Sequence, residues 1–350
     1  MKLTNDFARF VRLGVAGLAL VAGVSGLTLS SAAPASAETA EEIEAAANEE
    51  GVLLIYTSTV DALMKVIAPA FEATHPGIRV SWIRLSSSTV FNRYVAESEA
   101  GVVQGDLLWT ASTQLYQERP EMFAELTPEF VPNLAIEASI QPKNDHYVVV
   151  TASPHIVTYN TDSVTEADLA AHLATWEGLT DPRWTGRIAL VDPRGSASAT
   201  SFLLTLGDTY GDDWLTALGQ QVQLVDRGTT GAQQAAAGAF DLVVPADMSH
   251  TAELRAQQAP VSTYAPGGPA HGLEHSMAIP LESTHPAAAR LFMNWALSAE
   301  GQTVLCGLDM AALREADASC QTVSPDHVSP RDSVPDDVEA ELFGLLGITP

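Results

Sequence analysis

The sequence predicts an α/β protein of two lobes, each a mostly parallel sheet flanked by helices, joined by a hinge. Three observations carry this. Apolar runs of strand length alternate with helix-period segments from Val52 onward. The 350 residues exceed what one core holds, since single cores stop growing at roughly 250–300 residues. Several predicted strands also end in short, hydroxyl-rich turns that open helices, and α/β sheets bind ligands beyond the carboxyl ends of their strands.

At the amino end, Lys2, Arg9 and Arg12 precede an apolar stretch from Leu13 to Leu29, and Ala35-Ser36-Ala37 follows. This is the pattern of a secretory signal peptide cleaved after Ala37. An uncleaved anchor is the alternative, because the apolar stretch is marginally long enough to span a bilayer. No cysteine follows it to accept a lipid. The mature chain is therefore expected in the periplasm, or in the cell envelope of a host without an outer membrane. Removing residues 1–37 leaves 313 residues and takes the formal charge from −26 to −28, because three cations and Asp6 leave together. That acidity argues against nucleic acid or anionic lipid as a partner, since phosphate contacts need clustered Lys and Arg.

Residues 39–50 read as a polar helix stopped by Gly51, and Val52–Tyr56 as a buried strand ending in Thr57-Ser58-Thr59. A helix from Val60 to about Thr74 carries Leu63, Val66, Ile67 and Phe71 at helical spacing, and Ile78–Ile83 is the next strand. This β-α-β crossover implies parallel strands. Ser86–Thr89 opens a helix to about Glu99, and Asp106–Trp109 is a third strand followed by Thr110-Ala111-Ser112. Residues 119–145 are irregular, and Thr151–Pro154 is the expected hinge. Lobe I is thus assigned to 38–150, lobe II to 151–270, and a return to lobe I with C-terminal helices to 271–350. In the second lobe, Ile188–Val191 is a strand turned by Asp192-Pro193-Arg194-Gly195 into the helix-like Ser196–Thr200. Asp226–Gly231 forms a second turn, and Asp241–Val244 a strand ending near Asp247. Cys306 and Cys320 are the only cysteines. In an exported protein such a pair favours one local disulfide, with two free thiols as the alternative.

Read in order, VLLIYTST (52–59), Asp106-Leu107-Leu108-Trp109, Tyr159-Asn160-Thr161, DPRWTGRIALVDP (181–193) and AAARLFMNWALSAEGQ (287–302) resemble the iron-type extracellular solute-binding proteins of ABC importers. The resemblance covers nearly the whole mature chain. It implies the type 2 periplasmic-binding-protein fold, a monomer that closes over a small solute, and an ABC permease as partner. It also implies a ferric ligand set of histidine, glutamate and a tyrosine pair, from which this chain departs. Val60 stands at the histidine, Ala111 at the glutamate, and Met248 and Ser249 at the tyrosines. Direct binding of ferric iron is therefore not expected, and no cofactor is expected either.

Relatives that bind phosphonates or sugar phosphates use turns rich in Ser and Thr. By that likeness Ser58, Thr59, Ser87, Ser88, Thr110, Ser196, Ala197, Ser198, Thr229 and Thr230 are expected to hold a small anion at helix starts. Ordinary helix caps are the simpler reading of each residue taken alone. Arg93, Arg194 and Arg227 are candidate charge partners. Asp247 with Tyr56 and Trp109 would suit the ammonium group of an aminophosphonate by charge and cation–π contact. The expected activity is capture and delivery of a phosphonate, aminophosphonate or sugar or organic phosphate, and not catalysis. One alternative is presentation of the ligand to a two-component sensor kinase. Another is a zinc hydrolase, because His271-Gly272-Leu273-Glu274-His275 matches H-x-x-E-H. That motif needs a helix, and its setting after Pro266–Pro269 and before Ser276–Pro280 reads as strand.

Overall fold

The computed structural model describes residues 39–349 apart from 309, 319, 321 and 332. The expected signal peptide lies outside the described residues.

Thr39 and Glu42 form a capping box at the start of α1 (Ala40–Glu50), and Gly51 ends it at φ 70°. Then follow β1 (Val52–Thr57), α2 (Asp61–Thr74), β2 (Arg79–Arg84), α3 (Ser87–Ala100), β3 (Leu107–Thr110) and α4 (Gln114–Glu118). Two short 3-10 turns lead to β4 (Val148–Pro154), and β5 (Ile156–Asn160) opens the second lobe. That lobe continues with α5 (Glu166–His172), β6 (Ile188–Val191), α6 (Ala197–Tyr210), α7 (Asp212–Gly219), β7 (Val222–Val225), α8 (Gly228–Ala236), β8 (Leu242–Ala246), α9 (Ala252–Ala256) and β9 (Val261–Tyr264). The chain ends with β10 (Ala270–Ala278), α10 (Pro286–Ala296), α11 (Ala299–Cys306), β11 (Ala311–Ala312), β12 (His327–Val328) and α12 (Asp336–Leu345).

The first sheet runs β11-β4-β10-β3-β1-β2, with β12 paired to β10, and the second runs β7-β6-β8-β5-β9. The β-α-β units supply the parallel trios β2-β1-β3 and β7-β6-β8. The strands next to the lobe crossings, β4 and β10 in one sheet and β5 and β9 in the other, pair antiparallel. Both faces of each sheet are covered. Leu53, Ile55, Leu107 and Trp109 face one core with Phe71 and Phe292, while Tyr56 and Leu108 face another with Tyr94 and Phe123. In the second sheet Ile188 and Leu190 face Phe202 and Trp176, and Ala189 and Val191 face the opposite side. Strands buried on both sides read as continuous apolar runs, as these do.

Two boundaries differ from the sequence expectation. Thr151, Ala152 and Ser153 lie inside β4, paired with β10, and Thr151 and Ala152 also pair with β11. The chain changes sheets at His155, between Pro154 and Ile156. It returns through residues 265–269 and crosses a third time after β12. The C-terminal helix α12 therefore belongs to lobe II, where Leu342, Phe343 and Leu346 join the core of Trp214, Leu215 and Leu218. Cys306 and Cys320 are joined by a disulfide with their Cα atoms 5.5 Å apart.

Candidate functional site

The carboxyl ends of the parallel strands of both lobes open onto one cleft. It holds two chambers that share Asp247 and Leu273. The smaller, about 320 Å³, is lined from lobe II by Gly195, Ser196 and Ser198 at the start of α6 and by Asp226–Thr229 at the start of α8. His155, His250 and Pro245 complete its wall. The larger, about 500 Å³, lies between the lobes. Ser58, Thr59, Val60, Leu63, Ser87 and Ala111 face it from lobe I, and Met248, Ser249 and Ala252 from lobe II.

The two helix starts are built differently. Ser196 caps α6 by accepting from the Ala199 N–H. At α8 the cap residue is Arg227, whose side chain makes no cap hydrogen bond, so the first N–H groups of α8 have no side-chain cap among the described residues. Gly228 allows close approach here, because a Cβ on it would lie 2.3 Å from the His250 ring. His250 is held in one tautomer: its Nδ1 accepts from the Asp247 N–H at 3.2 Å, leaving Nε2 to donate to the Asp247 carboxylate at 3.2 Å. Arg227 is exposed and forms no ion pair among the described residues. Arg194, by contrast, is paired with Asp192 and donates to the Thr349 carbonyl, and Arg93 is paired with Glu97 over the Tyr56 ring.

His155 and His271 meet Nδ1 to Nδ1 at 3.0 Å. Ser198 Oγ lies 3.0 Å from the outer nitrogen of His155, and Ser201 Oγ 2.9 Å from that of His271. Burial, with His271 alongside, holds His155 well below the usual imidazole range. Burial also pushes His271 down to about 3 and His275 to about 4. These imidazoles are neutral at neutral pH. The charged groups lining the cleft are thus Arg227, Asp226, Asp247 and Glu253.

Of the residues singled out from sequence, the structure brings Ser58, Thr59, Ser87, Ser196, Ser198, Thr229 and Asp247 to the cleft. Ala197 sits exposed at the first turn of α6 between two of them. The others lie elsewhere. Tyr56 is fully buried in the core of lobe I and donates to Glu97 at 2.8 Å. Trp109 is fully buried against Phe292 on the opposite face of the sheet. Each still belongs to its strand, so its side chain enters a core layer instead of the turn beyond. Thr110 is buried, donating to the Ser112 carbonyl and bonded to the Tyr116 hydroxyl. Ser88 turns back to Ser86, and Thr230 lines a separate surface depression with Gln223 and Gln234. Without Tyr56 and Trp109 the ammonium cage around Asp247 does not form. Asp247 itself accepts from the Ser249 N–H at 2.9 Å and from the Ser249 hydroxyl.

His155, Leu63 and Met310 line the cleft and were not expected there from sequence. His250, Leu273 and His275 also line it, although the sequence offered the two histidines only as metal ligands, with the H-x-x-E-H segment. The H-x-x-E-H segment lies wholly in β10. Alternation along the strand separates Glu274 from both histidines, and Glu274 bonds to His327 at 3.0 Å. The helical zinc site that the motif would need is therefore not formed.

The model of the bacterial extracellular solute-binding protein family matches residues 56–303. The chain belongs to that family. An uncharacterized protein of Haemophilus influenzae is 26% identical over 271 residues, covering 74% of this chain and 77% of the relative. Among solved structures, iron-bound HitA from Pseudomonas aeruginosa superposes with a TM-score of 0.63 at 21% identity, covering 85% of this chain and 98% of its own. AfuA from Actinobacillus pleuropneumoniae, with fructose-6-phosphate bound, gives 0.58 at 22% identity over 85% and 97%. The substrate binding protein of an ABC transporter from Agrobacterium tumefaciens gives 0.66 at 18% over 85% and 93%. These likenesses establish the two-lobed periplasmic-binding-protein fold, and the family makes this chain a bacterial extracellular solute-binding protein. The four positions where iron-type relatives would carry ferric ligands, Val60, Ala111, Met248 and Ser249, all line the larger chamber. None is a carboxylate, imidazole or phenolate, the donors such an ion favours. Among the described residues no group of three His, Cys, Asp or Glu is placed to hold a metal.

Proposed function

We propose that this solute-binding protein captures a small organic anion bearing a phosphate or phosphonate group and delivers it, chemically unchanged, to an ABC permease. The observation that carries the reading is the convergence of the α6 and α8 amino ends on one chamber with the unpaired Arg227 at its mouth. Helix amino ends carry partial positive charge and free N–H donors, which favour an anion. Ser196, Ser198 and Thr229 add hydroxyls of the kind that bond phosphoryl oxygens. The hexose phosphate bound to the similarly folded AfuA is consistent with this chemistry. Closure of the lobes about His155 would bring Ser58, Thr59 and Ser87 over the ligand and present the closed shape to the permease.

Isothermal titration with inorganic phosphate, methylphosphonate, fructose 6-phosphate and ferric citrate tests the proposal. Binding of at least one phosphoryl ligand, weakened tenfold or more by Arg227→Gln, is the expected result. Tight binding of ferric citrate alone, or phosphoryl binding indifferent to Arg227→Gln, defeats it. Mass analysis of the recovered ligand tests delivery without catalysis: an altered ligand would show turnover.

A further inference from the structure

We propose that the solute carries an apolar organic body beside its anionic group, so that apolar phosphonates and phosphate esters outcompete sugar phosphates. The inference rests on the anion reading above and deepens it. The larger chamber adjoins the smaller at Asp247 and Leu273, which line both, so the space next to a ligand anchored at α8 is that chamber. Its wall is built mainly from Val60, Leu63, Met248, Leu273, Leu308 and Met310. A pyranose or furanose placed there would bury several hydroxyls against these side chains. Each buried hydroxyl without a partner is unfavourable, and the polar groups nearby are mostly engaged within the protein.

Ser58 Oγ accepts from the Ala111 N–H. Ser153 Oγ is bonded to His275 Nε2. Both oxygens of Asp247 are taken by Ser249 and His250. Thr59 Oγ1 and His275 Nδ1 are the buried side-chain atoms of this lining without a protein partner among the described residues; with the half-buried Ser87 hydroxyl they are fewer than the hydroxyls and ring oxygen of a hexose. Glu253 is exposed at the rim, and Asp247 already accepts from Ser249 twice and from His250, so an ammonium group would meet no carboxylate in this chamber free of protein donors. The body is therefore apolar.

The test is a titration series on the purified protein: methyl-, ethyl-, n-propyl- and n-pentylphosphonate, 2-aminoethylphosphonate, phenylphosphonate and fructose 6-phosphate. Affinity is expected to rise about fourfold per methylene, the transfer free energy of a buried CH2. n-Propylphosphonate should bind at least tenfold more tightly than its near-isostere 2-aminoethylphosphonate, and phenylphosphonate more tightly than fructose 6-phosphate. In Leu63→Ser with Met310→Ser the dependence on chain length should flatten. Because the slope is read, and not the absolute affinity, a general loss of binding does not mimic the result. A flat chain-length series in the wild type, or fructose 6-phosphate or 2-aminoethylphosphonate as the tightest ligand, overturns this inference and leaves the anion reading standing. Failure of every phosphoryl ligand to bind removes both.

Discussion

His155 and His271 stack with their Nδ1 atoms 3.0 Å apart at the point where the chain passes from one sheet to the other. One Nδ1 must donate and the other accept, so the pair holds a single proton between them, and Ser198 and Ser201 bond their outer nitrogens. Ser198 belongs to α6 and lines the smaller chamber. The lobe crossing and the anion cradle are thus joined by one hydrogen-bonded chain that runs Ser201, His271, His155, Ser198.

Acid should weaken the fold through its buried imidazoles. His275 is held at about 4 in the folded protein, chiefly by burial, against about 6.5 when unfolded. The folded value is the lower one, so as pH falls the unfolded chain takes the proton first. The contribution is complete above about pH 6.5 and is lost progressively toward pH 4. Relative to His275→Gln, the wild type should lose about 1.4 kcal/mol per pH unit across that window. Urea midpoints of both proteins at pH 7 and pH 5 measure it. Equal losses in the two would contradict the assignment of a buried neutral imidazole.

The amount of the site legible in sequence follows from where each residue stands relative to its strand. Ser58, Thr59, Ser196, Ser198, Thr229 and Asp247 lie past a strand end or in the first turn of a helix, which local composition marks. Tyr56 and Trp109 stand inside or at the last residues of strands covered on both faces. There, alternation determines the side but not the layer, and a polar-tipped aromatic looks the same in a core as in a cleft. His155 meets His271 and His275 meets Ser153 only because β4 and β10 are neighbours, a pairing between residues more than a hundred positions apart in the chain. The third crossing was hidden for a related reason: Leu342, Phe343 and Leu346 announce an amphipathic helix, and nothing in them says which lobe provides the other half of the core.

Gly228→Ala should impair binding more than folding. The new Cβ falls 2.3 Å from the His250 ring, and that ring is the movable part, so it would swing away from Asp247 and disturb the start of α8. Ligand affinity is expected to fall tenfold or more while the melting temperature shifts by only a few degrees. Titration and thermal melting on the same preparation separate the two effects, and an unchanged affinity would show that His250 does not shape the chamber.

Reduction of Cys306–Cys320 should destabilise the protein without removing its site. The bond joins residues 14 positions apart in the chain, and constraint of the unfolded chain by a loop of that size contributes about 3 kcal/mol. Neither cysteine lines the cleft. Denaturant unfolding with and without a reductant should therefore separate the midpoints, while ligand affinity under native conditions stays within about twofold. The same loop carries Leu308 and Met310 of the larger chamber, so a loss of binding on reduction would show that the disulfide itself holds that wall in place.

Gly219→Ala reverses the usual sign of a glycine substitution. In an exposed helix interior, alanine is favoured over glycine by about 1 kcal/mol. Gly219 ends α7 where the C-terminal segment crosses it, and a Cβ there would lie 2.4 Å from the Leu346 carbonyl oxygen and 2.7 Å from its Cα. Backbone cannot turn aside as a side chain can, so the segment after α12 must lift, carrying Leu346 and Ile348 from the core of lobe II. The variant is expected to melt several degrees below the wild type. If the loss comes from undocking, deleting residues 336–350 should lower the melting temperature further and make Gly219→Ala stabilising in the shortened chain. A variant as stable as the wild type would mean that the C-terminal segment does not bear on lobe II in solution.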